Sequence, residues 1–398
     1  MPRIRALSSS LLEVISGFVD VTGPDEFTRL CRSVATLSRL FTRDRGALEA
    51  EYMADETLRR GYVAYFFPVN LGKVQALLDE LPASDPAPSS PLRVLDIGSG
   101  PGTAALAVLD WMRHQPSSLQ RPIEVVAVDQ AKPALLDAEQ LWNSYPHMAV
   151  APKARFLPAQ TDLERSGHLK DLTVGGRGWY DLIILANTLG ELFCISRDPV
   201  RQRAKLVQGL LALLHENGTL MIIEPAMRDA SRNLHRLRNA LLEERACTVY
   251  SPCLHERPCP ALVKEEDWCH EERPWTPPSL IAAIDQEVGF IKDALKFSYL
   301  LLRKDGRTIV QRKSTVYRVV SELREMKGEK RVWLCNETGR PEVGRLNRMK
   351  SPSNAAVDEW HRGAIVRIDQ IVRAQRKGRE ATVGRIPAEA NVEIIKSV

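Results

Sequence analysis

The sequence predicts an α/β protein in which a parallel sheet is preceded by a helical region and followed by a small β-rich region. Between residues 93 and 225, apolar runs of strand length alternate with segments of helical periodicity. This alternation is typical of parallel sheets whose strands are connected by helices. The runs predicted as strands are RVLDIG, EVVAVD, ARFLPAQ, DLIILAN and GTLMIIEP.

The chain before the sheet has the apolar spacing of helices rather than strands. Apolar residues recur at helical intervals in LLEVISGFVD and in DEFTRLCRSVATLSRLF. The stretch PASDPAPSSP, at residues 82–91, then has the composition of a linker. We therefore expect a helical N-terminal region over residues 1–85 and an α/β domain over residues 86–300, a natural division for a chain of 398 residues.

Residues 301–398 are predicted to form a third, β-rich domain. Short β-like runs occur in TIVQRK, TVYRVVSEL, KRVWLCN and GAIVRIDQIV, and turn residues separate them. These residues include 22 Lys and Arg against 12 Asp and Glu, so their net charge is +10, while residues 1–300 carry −5. Such a surplus is common on a solvated surface, and it also suits contact with the phosphate backbone of RNA.

The composition favours an intracellular protein with no membrane partner. No apolar run approaches the roughly 20 residues needed to span a bilayer, and the N-terminal segment lacks the clean apolar core of an export signal. Arg3, Arg5 and several serines precede the first acid, Glu13, so a transit peptide is an alternative. Seven cysteines without an export signal favour reduced thiols or metal ligands over disulfides.

Three glycines follow the first predicted strand in VLDIGSGPGTAALA, at the turn into the next helix. Gly98, Gly100 and Gly102 allow the backbone to approach a ligand closely and leave the first amides of the helix free to face it. Asp96 precedes this loop on the strand. A nicotinamide dinucleotide and S-adenosylmethionine are the two main candidate ligands.

Two further acids are predicted at the same edge of the sheet. Asp129 ends the second strand and Asp162 follows the third, where the strand ends of a doubly wound sheet converge on a ligand crevice. Dinucleotide-binding loops use a different glycine spacing and an acid about 20 residues farther on. Asp129 instead lies 31 residues after Gly98, so the pattern favours S-adenosylmethionine.

The pattern D-x-G-x-G-x-G resembles the first motif of class I S-adenosylmethionine-dependent methyltransferases, which have a Rossmann-like fold. The resemblance implies that the glycine loop faces the methionine moiety of the cofactor. It also implies that Asp129 accepts hydrogen bonds from the ribose hydroxyls and that Asp162 meets the adenine amine. Asp96 is included among the predicted cofactor-binding residues.

The segment LANTLGEL, after the fourth strand, carries the candidate catalytic residues. Many base-amine methyltransferases have an Asn/Asp-Pro-Pro-aromatic clamp there, which holds the target nitrogen. Asn187 is present, but the prolines and the aromatic residue are not. Asn187 and Glu191 are therefore the candidates, and whether a methyl group is transferred stays open at this point.

Cys253, Cys259 and Cys269 lie in a proline-rich insertion over residues 251–275. Prolines favour irregular loops, and such loops can wrap several thiolates around one centre. Cys335, in RVWLCNETG, is the predicted fourth ligand, which gives the spacing C-x5-C-x9-C-x65-C. Structural zinc sites commonly use pairs two to four residues apart, whereas iron–sulfur clusters accept wider spacing. The set therefore predicts a 4Fe-4S cluster, with zinc as the alternative.

Other interpretations of this insertion are open. The cysteines could be separate buried thiols, which are common in protein cores. His255 or His270 could complete a mixed metal site. A Pro-Cys dipeptide could also mark a thiolate nucleophile of the kind that attacks cytosine, although neither dipeptide follows the fourth strand, where one would be expected.

Several runs together resemble a more specific family. In chain order they are YVAYFFPVN, VLDIGSGPGTAALA, NTLGEL, RDASRNLHRLRNALL, SPCLHERPCPAL, DWCHEERPW and FSYLLLRK. Over residues 55–345 the sequence is identified as a member of the methyltransferase-like proteins associated with the mitochondrial small ribosomal subunit and their bacterial relatives.

This resemblance implies a class I methyltransferase fold and binding to small-subunit ribosomal RNA during assembly. It also implies a 4Fe-4S cluster on four cysteines that match Cys253, Cys259, Cys269 and Cys335. The predicted function is that of an RNA methyltransferase, and the alternative is a non-catalytic assembly factor that retains the fold. We expect a monomer in the bacterial cytoplasm, or in the mitochondrial matrix if the source is eukaryotic.

Overall fold

The computed structural model describes residues 4–43, 52–82, 90–145, 153–165, 172, 179–376 and 379–397. The α-helices within these residues are α1 (Ser9–Val19), α2 (Pro24–Thr42), α3 (Glu56–Gly61), α4 (Phe67–Leu78), α5 (Thr103–Arg113), α6 (Lys132–Ser144), α7 (Pro199–Ala212), α8 (Arg228–Glu243) and α9 (Ser279–Val288). One π-helical segment, Tyr62–Phe66, joins α3 to α4. None of the described helices has both the length and the apolarity needed to cross a membrane.

The main sheet has the strand order of the predicted fold. Its strands are β1 (Leu92–Ile97), β2 (Ile123–Asp129), β3 (Ala154–Gln160), β4 (Tyr180–Ala186), β5 (Leu214–Pro225), β6 (Thr248–Ser251), β7 (Glu271–Pro274) and β8 (Ala294–Arg303). The order is β3-β2-β1-β4-β5-β8-β6, and β7 also pairs with β8. The neighbours among β1 to β5 are parallel, whereas β8 runs antiparallel between β5 and β6. Parallel strands β1 to β5 connected by helices on both faces form a doubly wound sheet, so the five predicted strands and the Rossmann-like fold are confirmed.

The central strands read as continuous apolar runs because both faces of the sheet are covered. On one face, Val94 of β1 and Phe297 of β8 share a buried core with Leu11 of α1 and Leu71 of α4. On the other face, Leu95 belongs to a second core with residues of α7 and α8. The N-terminal helices therefore pack directly on the sheet, because their apolar faces and one sheet face form a single core.

A second sheet lies in the C-terminal part of the chain. Its strands are β9 (Val316–Val319), β10 (Arg324–Met326), β11 (Glu329–Cys335), β12 (Glu342–Leu346), β13 (Ile365–Ile368), β16 (Val383–Arg385) and β17 (Val392–Lys396), and β14 (Gln375–Arg376) and β15 (Arg379–Glu380) form a separate pair. The order is β16-β12-β11-β9-β13-β17, with β10 beside β11. Three of the four predicted β-like runs are confirmed as β9, β11 and β13, and the sheet has its own core around Leu334, Trp360 and Val366.

The prediction of a strand in TIVQRK is wrong. Residues 308–313 form a bend at 309–310 and otherwise irregular backbone rather than a strand. The Ile309 N–H donates to the Tyr250 carbonyl at 3.0 Å, and the Arg312 guanidinium donates to the Val249 carbonyl at 2.6 Å. The apolar side chains of Ile309 and Val310 pack against the small core around Leu254, so tertiary packing explains the apolar pattern without a strand ladder.

A buried network of charges joins the two sheets. Arg318 of β9 donates to the Glu271 carboxylate of β7 at 2.7 Å and to the Tyr299 hydroxyl of β8 at 2.9 Å. Arg273 pairs with Glu80, and the Tyr299 hydroxyl also donates to Glu80 at 3.0 Å. Burial alone would raise the pKa of Glu80, but the two guanidinium groups hold it below its usual value. The network thus connects the end of α4, the main sheet and the C-terminal sheet through their interior.

Candidate functional site

The chain turns from β1 into α5 through the three predicted glycines. Gly98, Gly100 and Gly102 have φ angles of +66°, +52° and +82°, which favour glycine. A Cβ atom at Gly98 would lie 2.2 Å from the side chain of Thr188, which follows β4. Gly100 has more room, since a Cβ atom there would meet Met53 at an ordinary 3.8 Å. The loop is therefore packed tightly against the turn after β4 at Gly98 and more openly at Gly100.

The carboxylate of Asp129, at the end of β2, is bonded directly to this loop. Its Oδ2 accepts the Gly100 N–H at 2.8 Å, and its Oδ1 accepts the Ala131 N–H at 2.8 Å. Burial raises the pKa of Asp129, while these backbone donors oppose the shift. The sequence predicted that the two strand ends would converge, and the structure has Gly100 and Asp129 in contact.

Asp96 lies beneath the glycine loop rather than at its surface. The residue is only 1% exposed, and its Oδ2 accepts the Ser99 hydroxyl at 2.9 Å and the Ala105 N–H at 3.2 Å. Burial raises the pKa of Asp96 to about 7. In this position Asp96 holds the loop to the first turn of α5, which is a supporting role for the site.

Asp162 follows β3, at the same edge of the sheet. Its carboxylate accepts the Glu164 N–H at 3.0 Å and pairs with Arg165 at 3.2 Å. The preceding residue, Thr161, donates its N–H to the Asp129 carbonyl at 2.9 Å. This bond holds the turn that carries Asp162 beside the end of β2.

The turn after β4 carries both candidate catalytic residues. Asn187 has a φ of +60°, and its N–H donates to the Ile223 carbonyl of β5 at 2.8 Å. The Glu191 N–H closes the next turn by donating to the Thr188 carbonyl at 3.0 Å. The Thr188 hydroxyl donates to the Ile97 carbonyl at 3.1 Å, so this turn rests against the start of the glycine loop.

Two tyrosines from the helical region, Tyr52 and Tyr62, lie near this edge of the sheet and were not predicted as site residues. Burial raises the pKa of both phenols, and the charge of Glu191 raises both further. Asp129 also acts on Tyr52. The Phe41 ring packs edge-on against both tyrosine rings, at 5.5 and 6.4 Å between centroids. The only indication in the sequence was that Tyr62 begins YVAYFFPVN, one of the runs that carry the family resemblance.

The four predicted metal ligands line one cavity of about 50 Å³. Burial raises the pKa of Cys259 to about 12, and it raises the pKa of Cys335 well above its usual value. The other thiols of the set raise the pKa of Cys335 further. In the part of the chain that the structure describes, no three His, Cys, Asp or Glu side chains are arranged to hold a metal ion. The cavity is lined by Cys253, Cys259, Cys269 and Cys335 together with His255 and His270.

Side chains of α8 hold the cysteine insertion in place. Arg232 donates to four carbonyl oxygens within residues 261–267, at 2.6, 2.7, 3.1 and 3.4 Å. Arg238, which is fully buried, donates to two carbonyl oxygens within residues 255–257, at 2.5 and 2.9 Å. His235 accepts the N–H of the third cysteine at 3.2 Å. The carbonyls that this helix binds could not be predicted from the sequence, because they lie far along the chain.

The family described as "Mitochondrial small ribosomal subunit Rsm22" matches residues 58–350. The chain belongs to this family. The match covers most of the main sheet, the glycine loop and all four cysteines that line the cavity, which confirms the resemblance that the sequence runs carried. No curated protein matches this chain.

Solved methyltransferase structures are similar to this Rsm22-family chain at low identity. A Leishmania major S-adenosylmethionine-dependent methyltransferase is 16% identical, with a TM-score of 0.35, over 63% of this chain and 80% of that one. The magnesium protoporphyrin IX methyltransferase of Synechocystis, solved with bound S-adenosylmethionine, is 11% identical, with a TM-score of 0.32, over 68% and 97%. The mitomycin 7-O-methyltransferase MmcR is 15% identical, with a TM-score of 0.33, over 75% and 73%. The fold is therefore assigned from the order and direction of the strands in the main sheet, and the assignment does not depend on these similarities.

Proposed function

We propose that this protein binds S-adenosylmethionine at the carboxyl edge of the main sheet and acts on RNA of the small ribosomal subunit. The bond from the Gly100 N–H to Asp129 is the observation that carries the proposal furthest. It joins the loop after the first strand to the acid after the second. Class I methyltransferases bind the methionine and ribose parts of the cofactor with these two elements.

Each polar group at this edge has a proposed task. The glycine loop receives the methionine moiety, Asp129 accepts the ribose hydroxyls, and Asp162 accepts the adenine amine. The bound cofactor supplies an electrophilic methyl group. Tyr52 and Tyr62, which are half-buried near this edge, would limit the access of water to the bound cofactor.

The reaction proposed is methyl transfer to RNA, with Asn187 and Glu191 orienting the accepting base. A second candidate, a non-catalytic assembly factor, is favoured by one specific observation. The turn after β4 has no Pro-Pro-aromatic clamp, and its Thr188 hydroxyl is bonded to the Ile97 carbonyl instead of facing a substrate. The two candidates share RNA binding, and they differ in whether a base becomes methylated, because the assembly factor retains the fold without the reaction.

We also propose that Cys253, Cys259, Cys269 and Cys335 hold one 4Fe-4S cluster. A set of four thiols around one cavity suits such a cluster, which is bound by four cysteine thiolates. Burial raises the pKa of Cys269, but two nearby guanidinium groups, those of Arg340 and Arg362, oppose the shift. Those positive charges would favour thiolates and offset the negative charge of a bound cluster.

A structural role for this cluster follows from the position of its ligands. Three cysteines belong to the insertion after β6, and Cys335 ends β11 of the C-terminal sheet. A metal group on all four would cross-link the two sheets, and its binding free energy would contribute to folding. Four cysteines also suit zinc, which stays the alternative and which metal analysis distinguishes.

The ribosomal part of the proposal is supported by the family description and by the charge of the C-terminal residues. The family description names the mitochondrial small ribosomal subunit. We propose that this protein acts in the mitochondrial matrix if its source is eukaryotic and in the cytoplasm if it is bacterial. The net charge of +10 over residues 301–398 would attract the RNA phosphate backbone.

Crosslinking in cells tests this proposal most completely. The protein is crosslinked to RNA, and modified bases of the small-subunit RNA are mapped with and without the gene. A methyltransferase gives crosslinks on that RNA and at least one methylated base that disappears with the gene. An assembly factor gives the crosslinks without any loss of methylation. The absence of crosslinks to small-subunit RNA would overturn both candidates.

A further inference from the structure

A second cavity, of about 260 Å³, opens between α4 and the start of β8. Three lysines line it: Lys73 from α4, and Lys292 and Lys296 from the chain that enters β8. We refer to this feature as the lysine cavity. Asp293 is the one acid among its described lining residues, so positive charge is in excess there.

Lys73 is the most unusual of these groups because it is buried, with 9% of its surface exposed. Its ammonium donates to the Asn70 amide oxygen at 2.9 Å. Among the described residues, no carboxylate forms a salt bridge with it. Burial and the neighbouring charge of Lys292 lower the pKa of Lys73 to about 7. A buried amine without a counter-ion costs free energy in the folded protein, and an anion from outside would offset that cost.

Two acids near the cavity, Glu272 and Asp285, already have partners, and Asp293 is exposed and forms no salt bridge with Lys73 among the described residues. Lys296 pairs with Glu272 at 2.9 Å. Asp285, whose charge acts on Lys292, accepts the Tyr65 hydroxyl at 2.5 Å. These carboxylates therefore leave Lys73 uncompensated, which distinguishes the lysine cavity from an ordinary surface where cations and anions alternate.

The lysine cavity lies at the edge of the sheet where a substrate would bind. β8 is antiparallel to β5, and Phe297 pairs with Pro225 at the carboxyl end of β5. The residues just before Phe297 therefore lie at the edge to which the parallel strands point, where doubly wound sheets bind ligands. Asn70, the partner of Lys73, also donates to the Tyr62 hydroxyl at 3.3 Å, so a chain of hydrogen bonds runs from Lys73 to Tyr62.

We propose that the lysine cavity binds a phosphate group. Three ammonium groups around one cavity match the charge and the acceptor oxygens of phosphate. The source favoured by its position is a backbone phosphate of the RNA substrate, and in this form the inference rests on the proposed function. A free phosphate compound offers the same chemistry, and the phosphate site itself would stand without RNA.

Two variants and one control test this inference on the full-length protein. Lys73→Met removes the buried charge and Lys292→Met removes a less buried one. Lys205→Met removes an exposed charge on α7, outside the cavity. The probes are inorganic phosphate, a short single-stranded oligoribonucleotide, and the same oligonucleotide with uncharged methylphosphonate linkages. Affinity is measured over a range of salt concentrations, and binding of S-adenosylmethionine is measured separately as a test of the neighbouring pocket.

For the unmodified oligonucleotide, we expect Lys73→Met and Lys292→Met to flatten the plot of log affinity against log salt by about one unit of slope each. Lys205→Met should leave the slope unchanged, and the uncharged oligonucleotide should not distinguish the variants. Wild-type affinity should rise from pH 8 to pH 6 as Lys73 becomes protonated, and this rise should be absent in Lys73→Met. The melting temperature of Lys73→Met should increase, because the uncompensated amine is gone.

The possible outcomes distinguish the phosphate site itself from RNA as the source of the bound phosphate. If phosphate binding falls in both variants while oligonucleotide binding does not change, the phosphate site stands and the RNA source is refuted. If both variants bind both probes as the wild type does, the lysine cavity is not a phosphate site. Should Lys73→Met fail to fold, Lys292→Met decides alone. If the wild type does not bind S-adenosylmethionine, that result would count against the proposed function and leave this inference standing.

Discussion

Arg318 of the C-terminal sheet donates to Glu271 of the main sheet at 2.7 Å, and both residues are almost fully buried. Gly363 also packs closely against Glu271, because a Cβ atom at Gly363 would lie 2.8 Å from the Glu271 carboxylate. Glu271 also lines the cysteine cavity, so this ion pair lies between the proposed metal site and the junction of the two sheets.

Replacing Arg318 by Met should destabilise the protein by about 3 kcal/mol, because it leaves the buried Glu271 with only the more distant guanidinium of Arg273, at 3.8 Å. The matched control is Arg367→Met on β13, whose pair with Glu393 at 2.8 Å is exposed. That change should cost less than about 1 kcal/mol. Denaturant unfolding of both variants measures the difference, and equal losses would mean that the buried network does not stabilise the junction.

Stability should depend on pH through Asp96. Its pKa is raised to about 7 in the folded protein by burial, whereas an unfolded Asp titrates near 3.8. The folded state therefore binds the proton more tightly, and this contribution to stability, present below pH 4, is lost as the pH rises to about 7. Asp96→Asn should remove about 2–4 kcal/mol of this pH dependence. Parallel curves of unfolding free energy against pH for variant and wild type would contradict this explanation.

The cysteine cavity predicts the metal content of the protein. Purified without oxygen, the protein should be brown and contain about four irons per chain. Cys335→Ser should lower both iron content and stability, whereas Cys247→Ser, outside the cavity, should leave the iron in place. One zinc and no iron would overturn the cluster but retain the site. Full metal content in Cys335→Ser would refute the fourth ligand and favour His255, whose Nε2 lies 3.7 Å from the Cys335 sulfur.

The basic C-terminal sheet should contribute to RNA binding through its exposed residues only. Lys327 and Arg348 are exposed, and reversing both to Glu should weaken RNA binding and reduce its salt dependence. Deleting residues 346–398 is a poor test, because β13, β16 and β17 would be lost with the core of the sheet. Binding measured over a range of salt concentrations decides the question. An unchanged slope in the folded double variant would mean that this surface is only solvated.

The main sheet could be predicted because its signals are local. Apolar runs, the glycine turn and the acids at strand ends each lie within a few residues, and a doubly wound sheet brings strand ends together. The net charge of residues 301–398 was a poorer guide to the character of their surface. Arg318 and Arg345 are buried in ion pairs, so part of the basic surplus stabilises the interior rather than forming a surface.

What the sequence could not predict depends on contacts between distant residues. Tyr62 lies near Glu191, and Lys73 shares a cavity with Lys292, although nothing in either local sequence indicates the other. The carbonyl groups that Arg232 binds have no side-chain signature at all. The error at residues 308–313 has the same origin, because apolar side chains that pack on a neighbouring segment look like a strand in the sequence.

Equilibrium binding of S-adenosylmethionine to the metal-loaded protein tests the proposed function most directly. One site per chain is expected, and Gly98→Ala should lower the affinity at least tenfold, because the new methyl group would lie 2.2 Å from Thr188 and displace the loop. Gly289→Ala is the control, since Gly289 also has a positive φ, +74°, but lies at the end of α9 with open space around it. It should bind as the wild type does. A folded, metal-loaded wild type that does not bind S-adenosylmethionine would contradict the proposal.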